Sequence, residues 1–120
     1  MRTLTRLAAL ATVLAGTMIA GAGMAETLNL VCRVHETRGD GAHRNIQRRL
    51  DFDLAAKTVS IFDNTGQGWR PKRQFAFLSA DAGRIRLEDG GGKQSYVDRR
   101  SGVYFFHNQK GDLTIKGPCQ

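Results

Sequence analysis

The chain has 120 residues, a formal net charge of +7 and only two cysteines. This length is that of a single domain, and the positive charge comes without a nucleic-acid recognition motif, which argues against a specific nucleic-acid reader. A basic surface instead favours other anionic partners.

The first 25 residues are typical of a secretory signal peptide. Arg2 and Arg6 supply a positive start, residues 7–20 are apolar, and small residues precede a cut after Ala25. The apolar stretch is rich in Ala, Gly and Thr and falls short of the ~20 strongly apolar residues of a spanning helix, so a membrane anchor is the less favoured interpretation. We predict a cleaved signal peptide and a secreted or periplasmic protein that does not span the membrane after processing.

Residues 26–120 are predicted to form a single β domain closed by a disulfide between Cys32 and Cys119. A domain of this size has a marginal core, and export places cysteines where disulfides persist. Cys32 shares its parity with apolar Leu30 and Val34, and Cys119 shares its parity with Ile115. Free thiols and an intermolecular bond are the alternatives, whereas a redox-active pair lacks the Cys-x-x-Cys spacing.

Between the cysteines the apolar residues alternate, and turn residues recur at regular intervals, which predicts an all-β fold. We expect about eight strands in a small antiparallel meander barrel or barrel-like sandwich. The predicted strands are residues 27–35, 45–54, 58–63, 73–79, 83–88, 94–99, 102–107 and 112–118. The glycines at 90–92 are predicted to form a mobile loop that cannot hold a strand.

Apolar parity also predicts the core. Its expected members are Ile46, Leu50, Phe52, Leu54, Val59, Ile61, Phe75, Phe77, Ile85, Leu87, Leu113 and Ile115. Arg48 breaks the pattern because it has the parity of Ile46 and Leu50. It either reaches out of the barrel mouth or pairs inside the barrel, and the first interpretation is favoured.

The densest basic cluster directly follows the single tryptophan. Trp69 precedes Arg70, Lys72 and Arg73 in the sequence "WRPKR". An aromatic residue beside positive charge is typical of a binding site, and we predict one here. The alternative, which the sequence favours for Trp69 itself, is that this side chain caps one end of the barrel.

No metal site or cofactor is predicted. His35, His43 and His107 show no ligand spacing such as H-x-H, and both cysteines are assigned to the disulfide. Asp51 and Asp53 share the face opposite the core, where they are interpreted as a polar strand face rather than as a catalytic pair.

The stretch "YVDRRSGVYFF" is interpreted as a hairpin corner, with "SG" as the turn and a surface ion pair between Asp98 and the two arginines that follow it. Ser101, His107 and Asp98 hold the residue types of a catalytic triad, but no nucleophile elbow accompanies them. We therefore predict that the protein is not an enzyme.

Short motifs along the domain resemble those of a loosely defined group of small exported bacterial proteins of unknown function. The motifs are the early strand cysteine, a D-x-x-x-K-x-V hairpin from Asp53 to Val59, a D-R-x-[ST]-G-x-[YF] hairpin from Asp98 to Tyr104, and the final G-x-C from Gly117 to Cys119. The resemblance implies a fold rather than an activity.

A second resemblance is to the periplasmic inhibitors of C-type lysozyme, which are small eight-stranded barrels fastened by a disulfide. It rests on Ser101, Gly102 and Tyr104, followed by "KGD" at 110–112. It implies that Ser101, Tyr104 and Lys110 enter a lysozyme cleft.

The function we expect is that of a non-catalytic binding or envelope-associated module. Its partner would be an envelope protein or an anionic envelope polymer. Inhibition of C-type lysozyme is the first alternative, and a small hydrolase is the second.

Overall fold

The structure is a computed structural model and describes residues 26–120. The predicted signal peptide lies outside the described residues. The regular structure within 26–120 consists of β-strands, bounded as follows: β1 Thr27–Thr37, β2 His43–Asp53, β3 Thr58–Asn64, β4 Arg70–Ala76, β5 Ser79–Ala80, β6 Arg84–Gly90, β7 Lys93–Asp98, β8 Val103–Asn108 and β9 Leu113–Pro118.

The strands form one antiparallel sheet in the order β4-β3-β2-β1-β9-β8-β7-β6-β5. Strands β4 and β5 are the two edges of this order, yet only residues 77 and 78 separate them in the chain. At ~4.8 Å per strand, the edges of a flat nine-stranded sheet would lie about 38 Å apart, far beyond the reach of two residues. The sheet therefore curls into a half-barrel, and the predicted all-β, barrel-like fold is confirmed.

The predicted strand 73–79 is divided in two, which gives nine strands instead of eight. The chain crosses here from one edge of the sheet to the other. The Phe77 N–H donates to the Lys57 carbonyl beside β3, and the Leu78 N–H donates to the Arg86 carbonyl on β6. The crossing segment is therefore hydrogen-bonded to both sides of the curled sheet.

The prediction of a mobile loop at residues 90–92 is wrong. Gly90 is the last residue of β6 and pairs with Lys93, the first residue of β7. Gly91 and Gly92 alone make the turn, with φ of 61° and 81°. Two successive positive φ angles give a tight hairpin turn whose twist suits antiparallel strands, and glycine adopts them without steric cost.

The buried residues lie on the concave side of the sheet and largely match the predicted core. Leu54, Phe75 and Leu113 are only partly buried. Five buried apolar residues lie outside the predicted list: Cys32 and Val34 in β1, and Val97, Tyr104 and Phe106 in β7 and β8, the two strands that flank the hairpin corner.

The disulfide between Cys32 and Cys119 is confirmed, and it closes the domain between its first and last strands. The two cysteines face each other as a cross-strand pair, with their α-carbons 3.8 Å apart. The pairing of Cys32 with Cys119 has the same register as the pairing of His35 with Lys116 between β1 and β9. The ladder is interrupted before the cysteines, where Pro118 has no N–H to donate.

Gly117 allows β9 to approach β1 closely, because a side chain at this position would overlap the Arg33 carbonyl oxygen. We expect Gly117→Ala to lower the free energy of unfolding by roughly 1–3 kcal/mol, as overpacked sites do. Urea unfolding measures this. The control is Gly83→Ala, whose added carbon would meet its nearest neighbour at an ordinary 3.5 Å. Equal effects of the two substitutions would contradict a special role for Gly117.

Candidate binding sites on the two faces of the sheet

A charged cluster occupies the concave side, and Arg48 is at its centre. Arg48 is only 4% exposed. Its Nε and Nη2 donate to Asp63 at 2.7 and 2.8 Å, and its Nη1 donates to the Tyr104 hydroxyl at 3.1 Å. The favoured prediction that Arg48 reaches out of the barrel mouth is wrong, because this fork of donors is paired inside the sheet.

Burial and pairing with neighbouring groups shift the pKa values of Arg48 and Tyr104 in opposite directions. Desolvation by burial alone would lower the pKa of Arg48, but the hydrogen bond and the charge of Asp63 outweigh it and raise that pKa. Burial raises the pKa of the Tyr104 hydroxyl, since a phenolate would be poorly solvated there. Arg48 therefore stays charged and Tyr104 stays neutral, so neither is suited to exchange protons near neutral pH.

A second ion pair joins the two halves of the curled sheet. Arg73 on β4 donates two hydrogen bonds to Glu88 on β6, both of 2.9 Å. Glu88 lies opposite buried Ser95 because a β-bulge at Leu87 shifts the register by one residue. Since β4 and β6 are not neighbours in the sheet, this pair helps to hold the curl.

The Arg73–Glu88 pair predicts a loss of stability in acid. The hydrogen bond from Arg73 lowers the pKa of Glu88, so the unfolded chain takes up a proton at a higher pH than the folded one does. The contribution is present above the unfolded value of about 4.3 and is lost as pH falls through the lower folded value. Urea unfolding between pH 7 and pH 3 should show this loss, and Glu88→Gln should flatten it. If the pH dependence of the unfolding free energy were unchanged in Glu88→Gln, Glu88 would not be the source of the loss in acid.

Trp69 lies on the convex side and is not among the residues packed against the core. It is 37% exposed, so it does not cap the barrel as the favoured interpretation of the sequence had it. The Arg49 guanidinium lies 5.4 Å from the Trp69 ring centroid and 4.2 Å from that of Phe62. Arg49 also forms a 3.2 Å ion pair with Asp51. We call Arg49, Phe62, Trp69, Arg70 and Lys72 the Trp69 surface.

The three basic residues after Trp69 do not share one environment. Arg70 and Lys72 are exposed, and neither has an ion-pair partner among residues 26–120. Arg73 instead turns to the concave side and pairs with Glu88. The division follows from a β-bulge, because Ile61 faces Arg73 while Phe62 faces Pro71, which leaves Lys72 without an opposite residue.

The three residues named by the lysozyme-inhibitor resemblance also differ in exposure. Ser101 and Lys110 are exposed. Tyr104 is 1% exposed and its hydroxyl is bonded by Arg48, so its side chain is not presented to a partner. The role of these residues in binding stays a prediction.

The triad residues are each engaged elsewhere. Asp98 Oδ1 accepts the N–H groups of Arg100 and Ser101, and this bonding lowers the pKa of Asp98, with Ser101 the larger cause. The surface ion pair expected for Asp98 is replaced by this turn. The ring of His107 contacts Thr114 at 3.0 Å. Within the described part of the chain, no hydrogen bond joins the His107 ring to Asp98 or to the Ser101 hydroxyl.

Several motif residues have structural roles that explain their presence. Asp53 accepts the Ala56 N–H in the β2–β3 turn, where Lys57 has a φ of 59°. Gly102 has a φ of 76°, donates to the Asp98 carbonyl and accepts from the Cys119 N–H. These residues shape turns and close the sheet.

No family model matches the chain, and neither the curated proteins nor the solved structures contain a match. In residues 26–120, no helix is long and apolar enough to cross a membrane.

Proposed function

We propose that this protein is a non-catalytic binding module of the bacterial cell envelope, exported to the periplasm or secreted. We further propose that the Trp69 surface contacts an anionic polymer of the envelope. The observation that carries the proposal is the position of Arg49, whose guanidinium is held against the rings of Phe62 and Trp69.

This arrangement suits recognition of an oxyanion. A stacked guanidinium loses little conformational freedom on binding, and its planar fork matches carboxylate and phosphate groups. Arg70 and Lys72 follow Trp69 and add exposed positive charge without acidic partners among the described residues. The partly exposed rings contribute apolar contact area, as aromatic residues do in binding surfaces.

The charge of the domain supports the same kind of partner. Residues 26–120 contain 16 Lys and Arg against 11 Asp and Glu. This excess attracts anionic polymers and would repel a lysozyme, since C-type lysozymes are basic. Inhibition of C-type lysozyme is therefore kept as an alternative outcome of the test.

The test is capture on the immobilised, disulfide-bonded protein. A cell-envelope extract supplemented with C-type lysozyme is applied and washed at low salt and again near ~150 mM, where exposed charges are largely screened beyond ~8 Å. We expect an anionic polymer to survive the second wash. Arg70→Gln/Lys72→Gln should abolish this retention, whereas Lys93→Gln/Lys116→Gln, which removes the same charge elsewhere, should preserve it.

Other outcomes would overturn the proposal. Equal loss of polymer retention in both double variants would mean that net charge alone causes binding. Retention of lysozyme with loss of its activity, weakened by Ser101→Ala/Lys110→Ala, would establish the inhibitor alternative. Complete release of the polymer at the higher salt would leave no specific surface to assign.

A further inference from the structure

A small cavity opens on the concave side, at the charged end of the sheet, and is separate from the rings of the Trp69 surface. Its volume is about 130 Å³. The apolar part of its lining includes Phe106, Leu113 and Ile115, with Tyr104 beside them. We call it the mouth cavity. Its small volume excludes drug-sized ligands, which occupy ~300–1,000 Å³.

The charged part of the lining is strongly unbalanced. Arg38, Arg44, Arg48, Lys72 and Arg73 line the cavity, and Glu36 is the single carboxylate among its lining residues. The charges of Arg48 and Arg73 are balanced by Asp63 and Glu88. The remaining rim therefore has three cations and one carboxylate.

Glu36 holds two of these cations in place. It accepts a 2.6 Å hydrogen bond from Arg44 Nε and lies 3.7 Å from Arg38 Nη2. Its own side chain is only 7% exposed, whereas the two arginines are half-exposed. One buried carboxylate thus fixes two guanidinium groups at the rim, and one positive charge is left over before Lys72 is counted. Preorganised donors of this kind bind an oxyanion with little loss of side-chain freedom.

Lys72 completes the rim because of the bulge in β4. The extra residue opposite Ile61 and Phe62 places Lys72 between the two faces, where it lines the mouth cavity and also a groove on the convex side. Bulges re-aim side chains in this way at the ends of sheets. The rim then presents Arg38, Arg44 and Lys72 above an apolar floor.

We propose that the mouth cavity binds a small amphipathic anion, namely a carboxylate with a short aromatic or aliphatic body. The carboxylate lies at the cationic rim and the apolar body lies on Phe106 and Leu113. At ~30 Å³ per water, the cavity has room for about four waters, which matches a body of a few carbon atoms. Burial of that body adds to the ion pairing, which alone is weak at an exposed rim.

The test uses four probes with different combinations of charge and apolar body. Benzoate and hexanoate carry both features, inorganic phosphate carries only the negative charge, and hexylamine carries an apolar body with a positive charge. We expect saturable chemical-shift changes at Phe106 and Leu113 with the two carboxylates in nuclear magnetic resonance titrations. Saturable binding of phosphate alone would mean a simple oxyanion site and would overturn the amphipathic ligand. Equal binding of hexylamine, or no saturation by ~10 mM of any probe, would overturn the site itself.

Matched variants distinguish the contribution of the rim to benzoate binding from that of net charge. Arg44→Gln should weaken benzoate binding by about tenfold, which is 1.4 kcal/mol. Arg86→Gln removes the same charge from an arginine of similar exposure outside the cavity and should leave the affinity unchanged. Equal weakening by both would contradict a role for the rim. Since Arg44 is not part of the Trp69 surface, this result is independent of polymer binding.

Discussion

Removing the Cys32–Cys119 disulfide is expected to lower the free energy of unfolding by about 4 to 5 kcal/mol. The bridge joins residues 87 positions apart, so in the unfolded chain it closes a loop of nearly the whole domain. The chain-entropy estimate grows with loop length. Small domains have a total stability of ~5–15 kcal/mol, and the reduced protein should therefore be close to unfolding at moderate temperature.

Urea unfolding with and without a reductant measures this effect. The control is Cys32→Ser/Cys119→Ser, which should match the reduced protein and should not respond to the reductant. A difference below ~1 kcal/mol between oxidised and reduced protein would show that the sheet closes without the bridge.

Arg48→Met is expected to destabilise the protein by about 3–5 kcal/mol, because it leaves the Asp63 carboxylate without its partner in a largely buried site. The Asp63 side chain is only 13% exposed. The double variant Arg48→Met/Asp63→Leu removes both charges and should recover most of the loss, since well-packed apolar residues can replace a buried ion pair. Denaturant unfolding of Arg48→Met, of Asp63→Leu and of the double variant gives the coupling energy between the two residues.

A surface ion pair supplies the control for this prediction. Arg86 Nη2 lies 3.0 Å from Asp89 Oδ2, and both side chains are about half-exposed. Arg86→Met should cost less than ~1 kcal/mol. If Arg48→Met cost no more than Arg86→Met, the interior pair would not contribute to stability in the way its burial indicates.

The alternation of apolar residues predicts most of the strands and most of the core, and it places Cys32 and Cys119 on the apolar faces of their segments. It works because each side of a strand faces one environment, and the concave side of this sheet is apolar along most of its length. Tyr104 and Phe106 also alternate and are buried, whereas the acid, arginines and serine beside them indicate only a turn. The tight turn at residues 90–92 was missed because glycine content alone does not distinguish a mobile loop from a turn with two positive φ angles.

The interior charges needed information that alternation along one strand does not contain. Arg48 breaks the apolar pattern, but its position in β2 does not by itself identify its partner. Asp63 has the parity of Val59 and Ile61, so two opposite charges on the inward faces of neighbouring strands were the available signal. Glu88 gave no such signal, because only the bulge at Leu87 brings it to the inner side.

The sequence shows that Trp69 precedes a basic cluster, but it does not show how these side chains are arranged. The aromatic residue and the basic cluster are adjacent in the sequence, which indicated a binding site. The stacking of Arg49 depends on the pairing of β2 with β3, where Arg49 faces Phe62. The separate position of Arg73 depends on the bulge in β4.

The most direct test of polymer binding is the fluorescence of Trp69. It is the single tryptophan of the sequence, so its emission reports on this surface alone. The protein is titrated with purified anionic envelope polymer, lipopolysaccharide or teichoic acid, near ~150 mM salt. We expect a saturable change in emission that Arg70→Gln/Lys72→Gln removes and Lys93→Gln/Lys116→Gln retains. Polymer that binds at this salt without changing the emission of Trp69, or no binding at all, would contradict the proposed surface.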